Sequence, residues 1–461
     1  MKNILKKQIL WAIPLAFSLL TSSCSDYLDK LPENTVEVEG IDYTNKSNMY
    51  MPVSGVYATA RGYLGSWSSY GCIIVRGDDV NKGGSPTDQI EYEYASKFQY
   101  DRLTTFWALS GLWGNCYYVV STSNSALESL ENYAKHLTSE SDKQLNAQYA
   151  AEVRFFRAYA YFQLVNLFGD VPLLLDNQEL NVFKNTKEDV KKYIYDELDY
   201  CIANLPAIRP NESEHPGAVT KYTAEMLKAK QKMYDNEWDE VEYQFTDFGN
   251  GSGDIVSSDN WFAFQGPRGE APISGWAFIE PTEKIRNLFS KRGEAVRAET
   301  TFLMTDATTR DGDYIPVAQP GEPTAYNGKA YTPANQMTPG RTGYGDNNNI
   351  RVFRYADVLL MNAEAKVRKG QDAPLNLVRE RAGLAPIANA TLDQILEERQ
   401  VELALEWGER FFDLVRTDRA TQELPGFVKG ESEYYPIPQD QIDLNPNLEA
   451  EPVPFEPEVT E

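Results

Sequence analysis

Apolar residues recur at three- and four-residue spacings over long stretches of this chain, and each such stretch predicts an amphipathic helix. Over residues 107–133 the series is Leu112, Trp113, Cys116, Tyr117, Val120, Ala126, Leu127 and Leu130, which marks a helix or a helix pair. Residues 147–168 repeat it with Ala151, Val153, Phe155, Phe156, Ala158, Tyr159, Phe162 and Leu167, and the run Gly169-Asp170-Val171-Pro172 stops it. A third stretch runs from Thr186 through Ile194 and Leu198 to Leu205 and Pro206. Thr186 suits its N-cap, and Glu188 and Asp189 suit the positive end of its dipole. Residues 221–241, 354–369 and 393–416 supply further helices; in the first of these, small Ala224 and Ala229 oppose bulky Leu227, Met233, Tyr234 and Trp238.

Small residues alternating with large aromatics let antiparallel helix pairs pack closely, as in tetratricopeptide solenoids. No strict 34-residue period holds, so the pattern predicts degenerate helical pairs interrupted by insertions. Two insertions stand out, residues 61–99 and the Gly/Pro/Asn/Asp-rich residues 245–349. Segments of that length in a compact protein carry function or small strands, so function is expected there.

At 461 residues the chain can bury a large core, and 42% hydrophobic with 12% aromatic residues is a globular composition. Lys and Arg number 44 against 68 Asp and Glu, a formal charge of −24. That balance argues against a nucleic-acid partner, because phosphate binding needs a positive footprint and no run of five or more Lys/Arg residues exists. The 28 Tyr and 8 Trp suit flat, partly wet ligands, although such rings also serve ordinary packing.

The N-terminus reads as an export signal. Lys2, Lys6 and Lys7 precede an apolar run from Ile9 to Leu20 that is too short to span a bilayer, and Leu20-Thr21-Ser22-Ser23-Cys24 resembles a lipoprotein box with Thr21 where Leu is usual. Residues 1–23 are expected to be removed and Cys24 acylated, so that the membrane is met through a lipid anchor only. Ser25-Asp26-Tyr27-Leu28-Asp29 resembles the surface-export signal of Bacteroidota lipoproteins. The remaining Cys72, Cys116 and Cys201 form neither a disulfide framework nor a metal site and read as small half-buried hydrophobes.

Four ordered motifs carry a family resemblance in the C-terminal half: RVFRYADVLLMNAEAKVRK at 351–369, RERAGL at 379–384, ILEERQVELALEWGERFFDLVRTDR at 395–419 and YPIPQDQIDLNPNL at 435–448. CSDYLDKLPENT after the signal, WGNCYYVVSTSNSALESL, AEVRFFRAYAYFQLVNLFGDVPL, IYDELDYCIANLP and the central GWAFIEPTEKIRNLF agree with it. The chain resembles the RagB/SusD family over its whole mature length. That resemblance implies a mainly α fold of four tetratricopeptide-like helix pairs supporting a loop-rich binding face with minor β-structure. It also implies one domain over 24–461, comprising an N-terminal helical part (24–245), the loop-rich insertion (246–349) and the C-terminal motif region (350–461). The function implied is a non-catalytic, surface-exposed outer-membrane lipoprotein that captures oligo- or polysaccharide for a SusC-like TonB-dependent transporter, without cofactor. The 61–90 segment resembles SusD-like proteins of fructan loci. The competing reading is a helical-repeat adaptor of the transporter that binds peptide or protein.

Chemistry that would point elsewhere is weak. Glu398, Glu402, Glu406 and Glu409 at helical spacing suggest paired carboxylates for glycoside hydrolysis, but Arg399, Arg410 and Arg416 on the same stretch are natural ion-pair partners. His136 and His215 belong to no zinc or triad motif. Asp311-Gly312-Asp313 is a fragment of a calcium loop without its downstream Glu, and the Gly-rich 251–254 is too short a signal for a phosphate cradle. No metal or cofactor is expected.

Sugar recognition needs flat aromatic faces beside polar groups that bond hydroxyls. In the first insertion Trp67 and Tyr70 sit among Gly and Ser without periodicity, which predicts an exposed Trp67; Asp78, Asp79, Asn81 and Lys82 follow as polar contacts. The second insertion offers Trp261, Tyr326, Tyr331, Arg341 and Tyr344. Trp276 lies in the family's Gly-Trp motif and reads as structural, while Trp113, Trp238 and Trp407 fall on predicted helices and read as core. An exposed Trp67 favours sugar binding; a buried one favours the adaptor.

Overall fold

A computed structural model of the chain describes residues 41–178, 181–238, 261–268, 275–317, 322–336 and 352–455. The chain divides into a short unit, residues 1–46, and a compact unit from Ser47 onward. In the short unit Asp42 closes a turn by accepting from the Thr44 amide at 3.0 Å. Cys24 lies outside the described residues.

The larger unit is built on helices. α1 (Met51–Tyr63) and α2 (Trp67–Ile74) meet at a three-residue corner, α3 (Glu91–Ser96) follows, and α4 (Trp107–Ala134) and α5 (Glu140–Phe168) are the long central pair. α6 (Lys187–Asn204) and α7 (Lys221–Tyr234) continue the series, each helix packing on the one before it from α4 onward, with α1 and α2 laid on α4. This stack of degenerate tetratricopeptide-like pairs is the architecture that the periodicity predicts. Residues 107–133 form one continuous helix. Thr186 caps α6 by accepting from the Asp189 amide, and Gly169 stops α5 with φ at +76°, a conformation open to glycine. Ala151, Ala158, Ala224 and Ala229 are buried at the close approaches.

Within the second insertion lie α8 (Trp261–Gln265), α9 (Glu283–Arg292) and α10 (Ala295–Thr301), and beyond it follow α11 (Tyr355–Arg368), α12 (Asn376–Arg381), α13 (Leu392–Glu402) and α14 (Glu409–Arg416). The single helix expected over 393–416 is thus two. Leu405 at φ +62° and Gly408 at φ +72° turn the chain between them, and a side chain on Gly408 would press to 2.9 Å from Ile73.

Both insertions carry small strands. β1 (Val80–Gly83) pairs antiparallel with β2 (Phe278–Pro281) in the register Val80↔Pro281, Asn81↔Glu280, Gly83↔Phe278, so the two insertions are tied together. β3 (Phe302–Met304) pairs with β6 (Ala325–Asn327), and β4 (Ala307–Thr308) with β5 (Tyr314–Ile315). Phe262, Ala277, Leu303, Ile315 and Tyr326 give this β-region a small core of its own. Cys72, Cys116 and Cys201 are buried, unpaired thiols.

Candidate functional site

Trp67 is the first residue of α2, not part of an irregular loop, and it is half-buried. Ser68 to Ile74 are all buried, so this short helix shows no apolar stripe and its periodicity is silent. The Trp67 ring meets Trp107 edge-on with centroids 5.6 Å apart, Trp276 edge-on at 5.3 Å, and Phe264 at 4.8 Å. Three indoles from three segments therefore form one cluster at the surface. Its outermost member is Trp107, 49% exposed, which sequence reasoning missed as a binding residue. The signal was present: Ala108, Leu109, Leu112, Trp113 and Cys116 make the buried stripe of α4, and Trp107 lies off it.

Trp276 is held from behind. The Gly275 amide donates to Pro267 O and the Trp276 amide to Ala263 O, each at 2.6 Å. A Cβ on Gly275 would stand 2.5 Å from the Gly266 carbonyl oxygen, so only glycine permits this approach. The next residues are strained: Ala277 at φ +62° and Ile279 at φ +59° occupy the left-handed region, which a β-branched residue rarely enters. Polar groups border the indoles. Trp107 Nε1 donates to Gln89 Oε1 at 2.8 Å, and Arg268 Nη2 donates to Ser85 Oγ at 3.0 Å and to Trp276 O at 3.4 Å. Asp88, exposed, stands next to Gln89 in the same turn.

The other sequence candidates are distributed differently. Tyr70 is fully buried and donates to Leu405 O at 3.0 Å, which leaves no face for a ligand. Asp78 pairs with Arg410 at 2.7 Å and with Lys284, and Asp79 is buried and accepts from Gln400 at 2.9 Å. Burial and the neighbouring Asp78 charge push the Asp79 carboxyl up to about 7. Lys82 is buried with its ammonium bonded to Ser85 O and Asp88 O, each at 2.8 Å, so it shapes the turn beside Trp107. Asn81 is exposed on β1. Trp261 is half-buried between Tyr70 and Trp407, with centroids 4.4 and 5.4 Å away. Tyr326 is 2% exposed in the β-region core. Tyr331 is half-buried and hydrogen-bonded through its hydroxyl to Asp313 and Thr309. Arg341 and Tyr344 lie outside the described residues. Trp113 and Trp407 are buried as expected, but Trp238 is only half-buried, with the guanidinium groups of Arg368 and Arg416 4.4 and 5.5 Å from its ring centroid.

Glu398 and Glu402 of α13, Glu406 in the turn after it and Glu409 of α14 are held in ion pairs with other elements. Glu398 is paired with Arg379 and Arg297, Glu402 with Arg354 and Arg297, Glu406 with Lys329 and Arg354, and Glu409 with Lys230. Burial raises the Glu402 carboxyl, but Arg354, Lys329 and Arg381 outweigh it and hold it down to about 2. The Asp313 carboxylate already accepts from Tyr331 and from the Ala334 amide at 2.8 Å, and His215 is stacked on Tyr50 at 3.6 Å. Among the described residues no group of His, Cys, Asp and Glu is placed to hold a metal ion.

Comparison with known proteins places the chain by sequence family and by fold. The family model described as the SusD family matches residues 297–431, and one described as "Starch-binding associating with outer membrane" matches residues 26–224. A SusD-like protein of Bacteroides ovatus is 27% identical, covering 86% of this chain and 80% of the relative. Among solved structures, a laminarin-binding SusD-like protein shares 25% identity at a TM-score of 0.71, covering 86% of this chain and 97% of that one. Surface glycan-binding protein A from Bacteroides uniformis shares 24% identity at a TM-score of 0.71, covering 88% of this chain and 99% of that one.

Proposed function

Because the chain belongs to the SusD family, whose members bind glycans and are not enzymes, we propose that it is a surface lipoprotein that captures a neutral glycan and passes it to a SusC-like TonB-dependent transporter. Association with the outer membrane comes with the family. Acylation of Cys24 would tether the protein there, since two signals or a dedicated anchor are needed for stable attachment without a spanning helix. No helix of the described residues is long and apolar enough to cross a membrane.

The observation that carries this reading is the exposed Trp107 ring, fixed edge-on against Trp67, which in turn meets Trp276. An aromatic face held rigidly by its neighbours can stack on the apolar face of a sugar ring at little entropic cost. Gln89, Ser85, Arg268 and Asp88 stand at the rim to bond hydroxyls. Arg268 and Asp88 have opposite charge, and the chain carries −24 overall, so an uncharged saccharide is favoured over a polyanion. The relative of known structure binds laminarin, whereas the 61–90 segment points to fructan.

Affinity electrophoresis of the protein from Ser25 onward, through gels containing laminarin, levan, inulin, starch and xylan, tests the reading. Retardation by one polymer, lost in Trp107→Ala, is the expected result. Unchanged migration in every gel would reject glycan capture and favour the adaptor reading. Replacing Cys24 by Ala should move the exported protein from the membrane to the soluble fraction.

A further inference from the structure

The aromatic surface does not end at Trp107. Tyr118, on the same helix, is 55% exposed, and Tyr63, the last residue of α1, is 36% exposed. Their rings meet with centroids 4.7 Å apart at 57°. Eleven residues separate Trp107 from Tyr118, which is three turns and about 16 Å of α4, and at 100° per residue both side chains leave the helix on nearly the same bearing. Tyr63 is likewise joined to Trp67 by the short corner between α1 and α2. Two aromatic pairs, Trp67–Trp107 and Tyr63–Tyr118, therefore bridge α4 and the α1–α2 corner at two places along one face.

Between them the helix is bare. Gly111 and Gly114 lie on this bearing, and a Cβ at either would meet nothing within 4 Å, so no packing contact demands glycine there. Glycine inside a helix is destabilising relative to alanine, and its use at two open positions fits a floor that something approaches closely. Asn115 sits beside them, its Nδ2 3.5 Å from Tyr63 O, and supplies a side-chain amide at mid-trench.

Resting on the glycan reading, we infer that the trench along α4 is a second part of the binding site, in which Tyr63 and Tyr118 form a distal subsite for the same saccharide chain that stacks on Trp107. The occupant is a neutral oligosaccharide several rings long, because α4 carries no charged side chain from Trp107 to Tyr118, the line is continuous with the Trp107 platform, and the Asp440 carboxylate at its edge, bonded to Ser110 at 2.9 Å, would repel an anion. A short oligosaccharide would touch only the indole end.

The test uses the protein from Ser25 onward, the double variant Tyr63→Ala/Tyr118→Ala, Tyr118→Phe, Gly111→Leu and Trp107→Ala. Each is run through the laminarin, levan, inulin, starch and xylan gels, then titrated calorimetrically with size-fractionated oligosaccharides of the polymer that retards the wild type. The double variant should keep its affinity for the shortest binding oligosaccharides and lose tenfold or more for long ones; Tyr118→Phe should retain wild-type affinity for both. Gly111→Leu should raise the melting temperature yet weaken long-oligosaccharide binding, an outcome that misfolding cannot produce. Trp107→Ala should lose both lengths. Wild-type affinity of the double variant for long oligosaccharides would overturn the distal subsite while leaving the glycan reading intact. Absence of retardation by every polymer would overturn both.

Discussion

Trp67 and Trp107 begin two different helices, yet their rings meet edge to face with centroids 5.6 Å apart and planes at 62°. The two have different duties. Trp107 is half exposed, whereas Trp67 also packs against Phe264 and Trp276. Trp107→Ala is therefore expected to weaken glycan binding tenfold or more, about 1.4 kcal/mol, with little change in melting temperature. Trp67→Ala should lose binding and also about 2 kcal/mol of stability from the cavity it leaves. Thermal unfolding beside affinity electrophoresis separates the two effects.

Gly275→Ala should damage the site without touching a ring. Its Cβ would fall 2.5 Å from Gly266 O, so one backbone must move, and Trp276 moves with it. Overpacking of this kind costs about 1–3 kcal/mol. Denaturant unfolding should show a lower midpoint, and glycan affinity should fall even where the variant is folded.

Arg399 is completely buried, with Nη1 2.8 Å from Asp357 and Nε 2.9 Å from Asp413, and Lys230 shares Asp357. Arg399→Ala would strand these carboxylates in a low dielectric, a loss of about 3–5 kcal/mol. Burial pushes the Asp357 carboxyl up, but Lys230 and Arg399 prevail and hold it down to about 2. A depressed carboxyl stabilises the fold above its ordinary range and loses that contribution as pH falls toward 2. The wild type should thus outlast Arg399→Ala most clearly at neutral pH, with the gap narrowing as both are acidified, a trend readable by denaturant melts from pH 7 to 3.

Glu152 behaves in the opposite sense. Its carboxylate is buried in α5, accepting from Tyr57 Oη at 2.9 Å, while that same hydroxyl accepts from the Val219 amide at 2.8 Å. Burial raises the Glu152 carboxyl to about 7. A raised carboxyl favours folding while protonated, so its contribution is complete below the ordinary value near 4.5 and disappears as pH rises through 7. Glu152→Gln should match the wild type near pH 4.5 and exceed it at pH 8 by on the order of 3 kcal/mol. Equal pH slopes for the two proteins would refute the assignment.

The long helices α4 and α6 were legible because each has one buried side, whereas α5 is buried nearly all round from Ala151 to Phe168 and was marked by the length of its apolar series; the Thr186 cap and Gly169 stop are local chemistry. The helix carrying Trp67 was not legible, because nearly every residue of it is buried and no polar face remains to beat a period. Polar residues near Trp67 misled for a related reason: Asp78, Asp79 and Lys82 look like ligand contacts in sequence, but their partners Arg410, Lys284, Gln400 and the Ser85–Asp88 turn fold back onto them.

The sequence by itself determined the helical stack, the acidic, aromatic-rich composition and the family motifs, because all of these reside in local spacing and residue type. Only the tertiary structure decided which aromatic rings face solvent. Trp67, Trp107 and Trp276 are brought together by the α2–α4 contact and by the β1–β2 pairing of two insertions some 200 residues apart in the chain. Exposure belongs to that assembly, since a ring's neighbours come from other segments and no single stretch of chain records them.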